Sequence, residues 1–166
     1  MNLELELLSK LHEKKEFSCG KELLDGYIRN QAKQDNIRDL SVCYVLNEVE
    51  TKRVIGYYTL SSNTINRSEF PEDLIKKLPP SYINLPTILL GRLAVDKRDK
   101  GNGYGEFLLT NALNKAVELS ESLGVLAVIV DPIDKDAENF YSAYGFTLFP
   151  GNGKMFITIK TIKTSN

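Results

Sequence analysis

Apolar and acidic residues alternate over Leu3–Leu8, LELELL, and this period of two predicts a first strand with one face inward. Past Phe17-Ser18-Cys19-Gly20 the period lengthens to three or four. Leu23, Leu24, Tyr27, Ile28 and Gln31 share one helical face, which predicts a helix over about 20–34 with Ser18 as its cap. Val42–Asn47 and Arg53–Thr59 are rich in β-formers and are joined by Glu48–Lys52, the pattern of a hairpin whose second strand continues through Leu60 to Ile65. The polar stretch Asn66–Pro80 holds a short helix at 71–77, and Pro79, Pro80 and Pro86 bracket an irregular loop.

Ile88–Val95 is almost continuously apolar, as a strand covered on both faces reads. Two residues interrupt it. Gly91 marks a bulge or a close backbone approach. Arg92 is a charge in a run that should be buried, so it needs a partner: a buried ion pair, or an anionic ligand. Glycines follow at 101, 103 and 105, and then a helical face of Leu108, Ala112, Ala116, Leu119 and Leu123, expected over about 103–122 with Gly124 as its left-handed cap. Val125–Val130 is a second buried strand. Strand, glycine turn, helix and strand make a right-handed crossover, so Ile88–Val95 and Val125–Val130 should run parallel. Asp134 or Asp136 can cap a helix over 134–144 whose face carries Ala137, Phe140, Tyr141 and Tyr144, and Gly145 ends it. A strand at Phe146–Phe149, a turn at Gly151–Gly153 and a last strand at Met155–Ile162 complete a mixed α/β order.

Composition narrows the class. The 166 residues fit one domain, 1–166, without repeat or linker, and 42% apolar with 26% charged residues is ordinary for a globular protein. With 21 basic and 22 acidic residues the formal charge is −1, which predicts no general affinity for nucleic acid but leaves room for a local basic face. Candidates for such a face are Arg29, Lys33, Arg38, Lys76, Lys77 and Arg92. Cys19 and Cys43 have no metal-ligand spacing and read as free buried thiols of a reducing compartment. His12 is the only histidine, so neither a histidine-based triad nor a metal site is expected. No signal peptide or membrane span is visible, and a cytoplasmic protein is expected.

The glycine turn carries the first chemistry. A turn from buried strand to helix points successive N–H groups at one place beside the positive end of the helix dipole, which suits a phosphate. Lys100 adds positive charge at its edge. The P-loop and dinucleotide patterns do not fit: Glu106-Phe107 stand where the first needs Lys-Ser/Thr, and the last two glycines are too close for the second.

LAVDKRDKGNGYGEFLL resembles the acetyl-CoA motif of the GNAT family of acetyltransferases, with Lys100 where the family usually has Arg or Gln. AENFYSAYGF, residues 137–146, is similar to the family's Asn-Phe-Tyr…Gly-Phe motif. The resemblance covers about 140 residues. It implies a GNAT-type fold: a central mixed, twisted sheet of roughly six to seven strands, helices on both faces and a splayed parallel pair. It implies an acetyl-CoA-dependent N-acetyltransferase. Main-chain groups of Leu93, Ala94 and Val95 would hold the pantetheine arm, and an N–H near Leu93 would serve as oxyanion donor. The diphosphate would lie on the amides of Lys100, Gly101, Asn102, Gly103, Tyr104 and Gly105, with Asn139 on the cofactor arm. Tyr141 would be the general acid for the leaving thiol; its bland alternative is packing against the sheet, and Tyr144 is its competitor. Neither Glu106 nor Asp131 makes a convincing base.

FSCG at 17–20, LDGY at 24–27, IGYYTL at 55–60 and LGRLAV at 90–95 are closest to the acetyltransferase toxins of toxin–antitoxin pairs. That resemblance implies aminoacyl-tRNA as acceptor, a ribbon-helix-helix antitoxin as partner, and a homodimer. Small amines, peptide N-termini or lysines are alternative acceptors, and a non-catalytic CoA-binding module is the alternative class.

Overall fold

The computed structural model describes residues 1–165. In chain order the elements begin with β1 (Leu3–Leu7), α1 (Glu22–Asn30), α2 (Ala32–Ile37), β2 (Val42–Glu48), β3 (Val54–Asn66), α3 (Glu72–Ile75) and β4 (Asn84–Val95). They continue with α4 (Tyr104–Ser120), β5 (Ala127–Val130), α5 (Lys135–Ala143), β6 (Thr147–Leu148), β7 (Met155–Thr158) and α6 (Ile159–Thr164). Hydrogen-bonded strands follow the order β1-β2-β3-β4-β5-β7-β6, seven in all. The β4–β5 ladder is parallel, whereas β1–β2, β2–β3, β5–β7 and β6–β7 are antiparallel, so the class is mixed α/β as expected.

Contacts group the chain into two compact units. The first comprises Met1–Ser61 and Leu90–Ala112. Its core packs Phe17, Leu24, Tyr27 and Ile28 of the α1 region against Cys43, Val45, Tyr57 and Ala94 of the strands. Each large apolar side chain so buried contributes about 1.5–3 kcal/mol. Tyr57 stays in that core because its hydroxyl donates to the Leu24 carbonyl, 2.6 Å away. Gly56 is there for space: a Cβ would lie 2.8 Å from Leu108 Cδ1 and 2.9 Å from the Ala94 carbonyl oxygen.

The first helix departs from its expected form. It breaks at Gln31, and Leu23 points outward at 76% exposure, leaving Leu24, Tyr27 and Ile28 as the buried stripe. Ser18 does not cap it. The entry turn is closed by buried Asp25, whose carboxylate accepts from the Cys19 N–H at 2.7 Å, while the Ser18 N–H donates to Asp96. Both cysteines are free and buried, and burial pushes their thiols up, to about 11 for Cys19 and about 12 for Cys43. His12 is structural. Its Nδ1 accepts from the Ser9 N–H at 2.9 Å, which leaves Nε2 to donate to Glu6 at 2.8 Å.

The second unit comprises Ser62–Leu89 and the chain from Leu113 onward. Ile65, Leu85, Ala127 and Ile129 form its core with a cluster of Phe70, Phe149 and Phe156, ring centroids 4.9–5.3 Å apart. The proline-bracketed loop is pinned by Arg67, which donates to the carbonyls of Ile75, Pro79 and Tyr82. As expected, Asp134 caps α5, accepting from the Ala137 N–H at 2.9 Å, and Gly145 follows it with φ +95°. Two expectations fail. The chain after Thr158 is helix, not strand, because the Thr158 hydroxyl accepts from the Thr161 N–H and starts α6. Helix α4 stops at Ser120, and Gly124 is not among the glycines with positive φ, so it is no left-handed cap. Leu119 and Leu123 are exposed accordingly. No helix of the described residues is long and apolar enough to cross a membrane.

Candidate active site

In the second unit the parallel ladder spans Thr87–Leu89 of β4 and Ala127–Ile129 of β5. Strand β4 runs on past that ladder, and in the first unit its remainder carries Leu93, Ala94 and Val95. Ala94 is buried, while Leu93 and Val95 are half-buried. The strand ends where the Asp96 N–H donates to the Ile55 carbonyl of β3.

A short 3₁₀ turn, Lys97–Asp99, then leads into the glycine turn, and two carboxylates hold it. Asp96 accepts from the Arg98 main-chain N–H at 2.9 Å and from the Arg98 guanidinium at 2.9 and 2.8 Å. Burial raises the Asp96 pKa, but the bonds from Arg98 and Ser18 outweigh it and hold the carboxyl below its usual range. Asp99 is buried and takes both ends of the Arg53 guanidinium, at 2.8 and 3.1 Å. Asn102 turns its side-chain amide back onto the Asp99 carbonyl at 2.8 Å. Above this support Gly101 and Gly103 have φ of +85° and +79°, and nothing lies within 4 Å of where a Cβ on either would be. Their conformation strains any L side chain, and their exposed face is bare backbone at the start of α4. Tyr104 and Gly105 open that helix. Lys100, expected as the charge at the phosphate edge, donates from Nζ to the Cys19 carbonyl at 3.1 Å.

Asn139 and Tyr141 belong to the second unit, on α5. Asn139 is exposed. Tyr141 is buried, its ring 5.3 Å from those of Phe140 and Phe146, and burial pushes its phenol pKa well above the ordinary tyrosine value. It keeps its proton across the physiological range, as an ordinary tyrosine also does. Tyr144 is 37% exposed. Glu106 and Asp131 are both exposed. Among the described residues no cluster of His, Cys, Asp or Glu could hold a metal ion.

The candidate basic residues are dispersed in role. Arg29 donates to the Phe17 carbonyl, and Lys76 pairs with Asp73 at 3.4 Å on the surface. Lys33 and Arg38 are exposed. Instead of an ion pair, Arg92 lays its guanidinium carbon 3.6 Å from the centroid of the Tyr27 ring. Sequence reasoning missed that pair, and it missed Arg53 and Asp99. The partners lie far apart in the chain, and no local spacing signals them, whereas Asp96 and Arg98 are two residues apart.

The family description "Acetyltransferase (GNAT) family" matches residues 6–146. The chain belongs to the GNAT acetyltransferase family. It is 33% identical over 134 residues, 81% of this chain and 78% of the relative, to the tRNA-acetylating toxin of Mycobacterium tuberculosis. Among solved structures it is similar to AtaT complexed with acetyl-methionyl-tRNAfMet, with a TM-score of 0.90, 27% identity, and 99% of each chain covered. It is also similar to AtaTR bound with AcCoA, at a TM-score of 0.86 and 27% identity over 98% of this chain and 97% of that one. This GNAT protein is thus an acetyl-CoA-dependent N-acetyltransferase. The bare, exposed backbone at Gly101 and Gly103, with open space where a Cβ would stand, leaves room for a diphosphate.

Proposed function

We propose that this acetyltransferase moves an acetyl group from acetyl-CoA to the amino group of aminoacyl-tRNA, as the toxin of a toxin–antitoxin pair. One observation carries the reading. Nearly the whole chain is similar, at a TM-score of 0.90, to a protein complexed with acetyl-methionyl-tRNAfMet. The likeness to a tRNA-acetylating toxin supports it independently.

In this reading the amides of Lys100–Gly105 bind the diphosphate, and the Arg53–Asp99 and Arg98–Asp96 pairs keep that turn in shape. Main-chain groups of Leu93, Ala94 and Val95 hold the pantetheine arm, with Asn139 contributing to it. Acetyl-CoA supplies an acyl group activated as a thioester. The N–H near Leu93 donates to the acyl carbonyl oxygen as negative charge builds there. As the amine nitrogen bonds to the acyl carbon and the C–S bond breaks, Tyr141 gives its phenolic proton to the departing thiolate and regains one from water. Most of the rate then comes from holding amine and thioester together. No side chain is assigned as base; the amine reacts in its neutral form and its proton leaves to water.

The same reading makes 1–166 one N-acetyltransferase domain of a cytoplasmic homodimer, restrained by a ribbon-helix-helix antitoxin. The test is direct. The purified protein is incubated with labelled acetyl-CoA and charged tRNA, the RNA is digested, and the terminal aminoacyl-adenosine is weighed by mass spectrometry. A gain of one acetyl group on the amine is expected. Acetylation of free amino acids or lysine peptides with none on charged tRNA would reject the acceptor.

A further inference from the structure

The stacked pair of Arg92 and Tyr27 lies in an open groove of about 630 Å³ within the first unit, formed by α1, α2 and β4. The Tyr27 ring is fixed on both sides. It stacks on Tyr57 with centroids 6.3 Å apart, and its hydroxyl donates to Asp35 at 2.8 Å. Arg92 is half-buried, and its charge meets the face of a ring. A guanidinium stacked in this way keeps its edge donors for an anion and offers its flat outer side to another planar group. Asn30, Gln31, Gln34 and Arg38 line the same groove. Amide side chains read the hydrogen-bonding edges of bases, and an exposed arginine meets phosphate.

Position adds to the chemistry. Arg92 precedes Leu93 on β4, and side chains alternate along a strand. The groove therefore begins one residue from the main-chain groups assigned to the acyl carbonyl. An acceptor whose amine reacts there must place the group bearing that amine nearby. In a charged tRNA that group is the last nucleotide of a single-stranded end. Proteins recognise such ends by stacking an unstacked base on aromatic or guanidinium planes and bonding its edge.

We propose that this groove is the subsite for the terminal nucleotides of the acceptor RNA, with a base lying on Arg92 over Tyr27, its edge read by the amides of Asn30, Gln31 and Gln34, and a phosphate met by Arg38. The inference rests on the aminoacyl-tRNA reading and assigns to Arg92 and Arg38 the affinity for the RNA end.

Steady-state kinetics on charged tRNA test it, with Arg92→Ala, Arg92→Lys and Arg38→Ala compared with the unaltered chain. Binding of a short single-stranded oligoribonucleotide carrying the tRNA 3′ sequence is the second readout. Arg92→Ala should raise KM for charged tRNA and weaken the oligonucleotide roughly tenfold, the size of one stacked base, with kcat at saturation nearly kept. Arg92→Lys should recover only part of the loss, because an ammonium cannot lie flat on the ring. Arg38→Ala changes an exposed side chain, so it reports even if Arg92→Ala folds poorly; a loss of several-fold is expected. If charged tRNA is acetylated and the variants match the unaltered chain in KM and oligonucleotide affinity, the subsite is wrong and the function stands. If charged tRNA is not acetylated at all, the function falls and takes the subsite with it.

Discussion

Tyr141 combines burial with a retained proton, and those two properties define what it can do. Its phenol pKa is raised because the anion would be desolvated among Phe140 and Phe146. In Tyr141→Phe the ring still fills the same space, so folding should be unaffected while proton donation is lost. A fall in kcat of about a hundredfold or more, with little change in KM for acetyl-CoA, is expected from thiol-release kinetics. Turnover equal to that of the unaltered chain would leave Tyr141 a packing residue. Glu6 illustrates a titratable group with a structural task. Its hydrogen bonding with Glu4, His12 and Lys52 holds its pKa down at about 2. A carboxyl depressed in the folded state stabilises above its unfolded value, and that stabilisation is lost as pH falls toward the folded one. Thermal melts between about pH 5 and pH 2 should therefore show the unaltered chain losing stability more steeply than Glu6→Gln.

At the scale of elements, the glycine turn proposed for the diphosphate is held by other elements. Gly101 and Gly103 make its bare face. Asp99 ties the turn to Arg53 at the start of β3, and Asp96 ties it to Arg98 and to the segment before α1. Asp99→Asn leaves the Arg53 guanidinium without its carboxylate, a loss of about 1–3 kcal/mol shared between stability and the shape of the turn. KM for acetyl-CoA should rise roughly tenfold with kcat far less affected. Affinity for pantetheine, which lacks the diphosphate, should change little by calorimetry. Equal losses for CoA and pantetheine would show that Asp99 does not act through the diphosphate turn.

For the whole molecule, the balance of charge matters most. A chain of net charge −1 cannot rely on a diffuse positive field to collect RNA. In the proposed function, binding must come from a few placed groups, and Arg92 and Arg38 in the α1–α2 groove are the ones proposed. The salt dependence of KM for charged tRNA measures how many phosphates are met, with a logarithmic slope of about 0.7 per contact on single strands. A slope of about 0.7–1.4 is expected, for one phosphate met by Arg38 and at most one more by the edge of Arg92. A flat line would exclude RNA phosphate contacts, and a much steeper one would require a wider basic surface.

The order of strands and helices, the parallel β4–β5 pair and the cap of α5 were written in local pattern. Burial on two faces leaves an unbroken apolar run, and a capping aspartate acts within three residues of itself. The glycine turn was legible for the same reason, since a positive φ is a demand on single residues. What local pattern could not reach were partners brought together by folding: Arg53 with Asp99, Arg92 with Tyr27, Lys100 with the Cys19 carbonyl. It also put Leu23 on the buried face, although that side chain is exposed, and extended the last strand past Thr158, where one hydroxyl decides for helix. Periodicity fixes which face of an element is apolar; only the packed chain decides what that face, or a charge upon it, will meet.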